Sequence, residues 1–99
     1  MRVSEFLIEW KKPSINSNTV FFDEPKPKGV KMLSGGYFPE FKIAWLEVIA
    51  VDEDGKGYGK LGLKTFEDWA KKNGATAIYA EALPPSLEFW SHMGYKTVG

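Results

Sequence analysis

Cysteine is absent from the 99 residues, histidine occurs once, and 13 basic residues are matched by 13 acidic ones. Without cysteine there is no disulfide framework, no thiolate zinc site and no cysteine nucleophile. A formal net charge of zero, with the two signs interspersed, argues against extended binding along a nucleic-acid backbone. No apolar run is long enough for a membrane span or the core of a signal peptide, so a soluble cytoplasmic protein is the expectation. The length suits one domain with one core and not two nucleotide-binding halves. Aromatic residues, in contrast, are plentiful: four Trp, four Tyr and seven Phe. They supply either a dense core or an apolar surface for a partner.

The first half of the chain reads as strands. Phe6, Ile8 and Trp10 alternate with Glu5 and Glu9, the pattern of a half-buried strand. Pro13, Asn16 and Asn18 then mark a loop, and residues 19–22 form a second short strand. A polar loop stiffened by Pro25 and Pro27 leads to a third strand over 30–33 and 37–38, broken at Ser34-Gly35-Gly36, where the glycines mark a bulge or a tight turn.

The second half alternates between strand and helix. Residues 43–51, Ile-Ala-Trp-Leu-Glu-Val-Ile-Ala-Val, are a β-branched, apolar run of buried-strand type. Residues 58–73 predict an amphipathic helix with Gly62, Phe66, Trp69 and Ala70 on one side and Lys60, Lys64, Asp68 and Lys71 mostly on the other. Lys71 and Lys72 suit the negative end of its dipole, and Gly74 is a C-terminal stop. A strand over 75–82, a short helix from Pro84-Pro85 to Gly94, and a last strand over 95–98 complete the reading. Strand–helix–strand implies a parallel pair, so the fold class is α/β: one mixed sheet, antiparallel first and parallel later.

Between strand 43–51 and helix 58–73 stand three alternating glycines, Gly55, Gly57 and Gly59, flanked by Lys56 and Lys60. Glycine lets the backbone approach a ligand closely, and the first helical turn offers unpaired N–H groups to an anion. The simpler reading is a flexible turn, but the flanking pattern favours a phosphate cradle. A Walker motif fails here, because Asp54 occupies its leading glycine position and Leu61 its hydroxyl position. Gly57-Tyr-Gly59-Lys-Leu-Gly62 is a literal dinucleotide fingerprint, with Glu81 spaced to meet a ribose. It sits mid-chain behind antiparallel strands, with fewer parallel strands than a dinucleotide fold needs.

The third reading is coenzyme A. Ile49-Ala50-Val51 ends a strand, Asp52-Glu53-Asp54 forms an acidic loop, and Gly55-Lys56-Gly57-Tyr58-Gly59-Lys60 opens a helix. Tyr79-Ala-Glu81 and Phe89-Trp-Ser-His-Met-Gly94-Tyr95 follow in order. Over about residues 43–97 this succession resembles the GNAT superfamily of N-acetyltransferases. The resemblance implies a single GNAT-like domain, with antiparallel strands over 1–42 and an acetyl-CoA-binding core over 43–99. Main-chain N–H groups of Lys56, Gly57, Tyr58, Gly59 and Lys60 would hold the pyrophosphate. Ile49, Ala50 and Val51 would pair with the pantetheine arm, and an N–H near Ile49 would stabilise the developing oxyanion. Glu81, and alternatively Glu47 on a shared strand face with Ile49 and Val51, would serve as the base for an amine acceptor. Each glutamate also has a plainer reading as a strand carboxylate facing water.

Several residues depart from the family pattern. Asp54 stands where an Arg or Gln is usual, and Trp90 replaces the tyrosine that protonates the departing thiolate, although an indole N–H is a very poor proton source. Residues 11–19 are too short for the two acceptor-site helices, and a fold stripped of these and of the closing C-terminal hairpin is expected. His92 reads as a surface residue, and Trp69 and Trp90 as core. The functional expectation is acetyl transfer from acetyl-CoA to an amine, with a non-catalytic CoA-binding or protein-interaction module as the alternative. A homodimer covering exposed apolar surface is also expected.

Overall fold

The structure, a computed structural model, describes residues 5–7, 13–53, 55–80, 92 and 96–98. Its elements run β1 (Glu5–Leu7), β2 (Val20–Phe21), β3 (Val30–Phe38), β4 (Ile43–Val51), α1 (Tyr58–Asn73), β5 (Ala77–Ala80) and β6 (Lys96–Val98). Four strands form one sheet in the order β2-β3-β4-β5, with β2, β3 and β4 antiparallel and β4 parallel to β5. The mixed sheet anticipated from the alternation of strand and helix is therefore present.

One strand lies elsewhere than expected. β1 does not open the antiparallel series; it pairs in parallel with β6, Glu5 opposite Lys96 and Leu7 opposite Val98. The stretch 8–19 separates β1 from β2. Within it, residues 13–19 contain no helix and close a compact turn. Asn16 Oδ1 accepts the Asn18 N–H at 2.8 Å, Thr19 Oγ1 accepts the Asn16 N–H at 3.0 Å, and Asn16 Nδ2 donates to Glu40 Oε1 at 3.1 Å. Asparagine side chains thus take up local hydrogen bonds that a helix would otherwise need.

The helix packs on one face of the sheet because its apolar stripe meets the inward residues of β3 and β4. Leu63, Phe66, Trp69 and Ala70 join Val30, Leu33, Tyr37, Ala44, Leu46 and Ile78 in one core. Trp69 lies in that core, as its spacing implied, and its Nε1 donates to Asp23 Oδ1 at 3.1 Å. The helix ends where sequence placed the stop: Gly74 takes φ +105°, and the N–H groups of Gly74 and Ala75 return to the carbonyls of Lys71 and Ala70. Across the sheet Trp45 is 1 % exposed, stacked on Phe38 with ring centroids 4.5 Å apart.

β3 is continuous through Ser34-Gly35-Gly36, and the glycines mark a bulge rather than a break. Ser34 faces Val48 while Gly35 faces Leu46, which leaves Glu47 as the extra residue on β4. A Cβ on Gly35 would collide with the Trp45 carbonyl, and one on Gly36 with the Trp45 ring. Only glycine allows β3 to pass this point.

Candidate functional site

The junction between β4 and α1 is built from two left-handed glycines. Gly55 and Gly57 both adopt φ +79°, a region costly to residues bearing a Cβ. Among the described residues, a Cβ at either position would find no atom within 4 Å, so none of them fills the space above this backbone. Gly57 is the N-cap residue of α1 and provides no side-chain cap, and the first helical turn holds no acidic residue. The helical ladder begins with the Leu61 N–H on the Gly57 carbonyl at 3.1 Å. The amides of Tyr58, Gly59 and Lys60 therefore precede the first intrahelical bond, at the positive end of the helix dipole. Lys56 and Lys60 are exposed beside them. The arrangement suits an anionic group lying on main-chain N–H groups.

Farther along, Gly62 plays a packing role. A Cβ there would stand 2.9 Å from Ile49 Cδ1 and 3.1 Å from Val30 Cγ2, so the glycine lets α1 approach β4. Ile49 is thereby seated on the helix side of the sheet, against the core.

The parallel pairing described runs from Ile43 opposite Ala77 to Leu46 opposite Ala80. β4 continues for residues 47–51, beyond the last described residue of β5, held on its other side by β3. Alternate N–H and C=O groups of this stretch face away from β3. Ile49, Ala50 and Val51 sit here, all half-buried, leading directly into the glycine junction. Glu47 is exposed at the bulge. Strict alternation had put it on one face with Ile49 and Val51; the bulge interrupts that alternation at Glu47 itself. Glu81 and Trp90 fall outside the described residues, as does the helix expected from Pro84 onward. His92 is exposed.

A model of the acetyltransferase (GNAT) family matches residues 3–95, nearly the whole chain. The protein belongs to the GNAT acetyltransferase family. No curated protein and no solved structure gives a significant match. Membership makes acyl transfer from a coenzyme A thioester the general chemistry expected of the fold. It also disposes of the dinucleotide reading, because the three glycines of Gly57-Tyr-Gly59-Lys-Leu-Gly62 now belong to a GNAT strand–loop–helix junction.

One part of the GNAT junction had no clear signal beforehand. Residues 23–29 read as a stiff polar loop, yet the turn at its end braces the start of α1. The Val30 N–H reaches the Pro27 carbonyl at 3.1 Å, and Gly29 takes φ +83°. That is a type II turn with Lys28 and Gly29 at its corners. The Gly29 carbonyl accepts the Asp52 N–H at 2.9 Å, and a Cβ on Gly29 would collide with the Tyr58 ring. The Pro-Lys-Gly spacing announces the turn; only the tertiary structure reveals what it touches. Tyr58, expected to contribute through its amide, also closes its ring over this turn.

Among the described residues there is no group of three or more His, Cys, Asp or Glu placed to hold a metal ion. No described helix is long and apolar enough to cross a membrane. A shallow cleft of about 390 Å³ lies toward the far end of α1, lined by Val20, Asp23, Glu24, Trp69, Lys72 and Asn73. Lys72 and Glu24 stand 3.9 Å apart across it, and it does not include the glycine junction.

Proposed function

We propose that the protein binds acetyl-CoA at the β4–α1 junction and transfers the acetyl group to an amine. The observation that carries this reading is the pair of left-handed glycines at an uncapped helix start, beneath space that no described residue fills. Bound there, acetyl-CoA would supply the activated acyl group. The amides of residues 56–60 would hold its diphosphate, with Lys56 and Lys60 adding charge. Ile49, Ala50 and Val51 would hydrogen-bond the pantetheine arm through backbone groups directed away from β3. An N–H at Ile49 would stabilise negative charge developing on the thioester oxygen.

A base is required to take a proton from the acceptor ammonium before the nitrogen attacks. Glu81 follows β5 in the chain and Glu47 marks the bulge on β4, so these two carboxylates are the candidates. Replacing Glu81 with Gln is expected to lower turnover while leaving coenzyme affinity nearly intact. An unchanged rate removes Glu81 from the mechanism, and the same comparison applied to Glu47→Gln tests the alternative.

The second reading is a GNAT-fold protein that binds coenzyme A without acyl transfer. The non-helical turn over 13–19 favours it, because that stretch provides no helical wall for an acceptor. Titration with acetyl-CoA followed by mass analysis of an amine panel separates the two. Coenzyme binding with no acetylated amine supports the module; acetylated amine supports the enzyme.

A further inference from the structure

The glycine junction has an unfavourable charge count for a diphosphate. Asp52, Glu53 and Asp54 precede it in sequence, and only Lys56 and Lys60 lie within the loop and first helical turn. Three carboxylates against two ammonium groups leave the local balance negative, so binding a polyanion calls for a cation from another element. The β2–β3 loop carries one. Lys28 sits at the first corner of the type II turn 27–30, exposed, next to the glycine whose carbonyl holds Asp52 and whose face lies under Tyr58. Its Cα is about 3.8 Å from that of Gly29. The turn is fixed on three sides: by its own Pro27–Val30 bond, by Asp52 and by the Tyr58 ring. Lys26, in contrast, is already engaged, donating to the Lys31 carbonyl at 3.3 Å. Among the described residues, no ion pair involves Lys28.

We infer that Lys28 reaches across from the β2–β3 loop as a diphosphate-binding residue of the coenzyme site. The inference rests on the acetyl-CoA reading and assigns to it a residue outside the glycine loop. Lys28 would supply from another element the cation that the loop sequence lacks, Asp54 standing where the family pattern has an Arg or Gln. The contact between Gly29 and the ring of Tyr58, the first residue of α1, holds the turn that carries Lys28 against the helix start.

The experiment is calorimetric titration of the full chain with CoA and with dephospho-CoA, comparing wild type, Lys28→Gln and Lys71→Gln. Lys71 is exposed in the last turn of α1 and gives the same loss of charge far from the junction. Lys28→Gln should weaken both ligands about five-fold, the scale of one exposed charge pair, while Lys71→Gln leaves both unchanged. Retained thermal unfolding of Lys28→Gln establishes that the turn is intact. Equal affinity of Lys28→Gln and wild type overturns the inference, as does an equal loss in Lys71→Gln. A loss confined to CoA and absent with dephospho-CoA also overturns it, by assigning Lys28 to the 3′-phosphate. Failure of the wild type to bind either ligand overturns the coenzyme reading itself, which distinguishes the two failures.

Discussion

Gly35 on β3 lies so close beneath the carbonyl of Trp45 on β4 that a methyl group cannot fit between them. The contact falls at the bulge that leaves Glu47 out of the ladder, so the local shape of β4 depends on a residue of the neighbouring strand. A Cβ there would also stand 3.0 Å from Phe66 Cε1 and 3.1 Å from Leu46 Cα. Backbone, not a flexible side chain, must yield. Gly35→Ala should therefore destabilise the protein by about 1–3 kcal/mol, the range for overpacking. Urea unfolding monitored by tryptophan fluorescence checks this, and a stability equal to wild type would contradict the placement of the bulge.

Gly57 poses the converse case. Its φ of +79° strains any residue with a Cβ by about 1–2 kcal/mol, but no described residue lies within 4 Å of where that Cβ would stand. Gly57→Ala should cost stability of that order and, by filling space that the proposed site gives to the coenzyme, weaken acetyl-CoA at least about ten-fold. Chemical denaturation and calorimetry measure the two effects separately. Unaltered affinity in the folded variant would move the ligand elsewhere.

Tyr58 separates packing from polarity. Its ring covers Gly29, and no hydrogen bond from its hydroxyl occurs among the described residues. Tyr58→Phe should match wild type in stability and coenzyme affinity. Tyr58→Ala should lose about 1–2 kcal/mol and bind coenzyme more weakly, because the brace between the helix start and the 27–30 turn is gone. If the Phe variant alone loses affinity, the hydroxyl acts on the ligand and the bracing account fails.

The Trp69–Asp23 hydrogen bond ties the loop after β2 to the C-terminal part of α1. It is partly buried, with Phe22 packed edge-on against Trp69 at 5.3 Å between centroids. Asp23→Ala should cost about 1 kcal/mol and shift the tryptophan emission, while leaving coenzyme affinity alone. Loss of affinity without loss of stability would show that the β2–β3 loop transmits changes directly to the junction.

Local chemistry explains what the sequence made legible. Helix α1 was readable to its ends because glycine bounds it on both sides, and Phe66, Trp69 and Ala70 recur at its period. β4 was equally clear, being a long run of β-branched and apolar residues bounded by an acidic loop. The glycine junction announced itself through residues that tolerate positive φ. Non-local pairing was illegible. Nothing within residues 5–7 specifies β6 as the partner, since edge alternation is the same for parallel and antiparallel neighbours. The glycines of β3 signalled a bulge, but not that the extra residue would be Glu47, which depends on the register between β3 and β4. The brace between Gly29 and Tyr58 joins loops far apart in sequence, so only the folded chain brings it together.

The most direct test of the central claim is calorimetric titration of the purified protein with acetyl-CoA, with NADH as the control ligand. The account predicts saturable one-to-one binding of acetyl-CoA, lost in Gly57→Glu, with no heat of binding from NADH. Absence of acetyl-CoA binding by the folded wild-type protein would contradict it, and would leave the left-handed glycines as a turn between β4 and α1 alone.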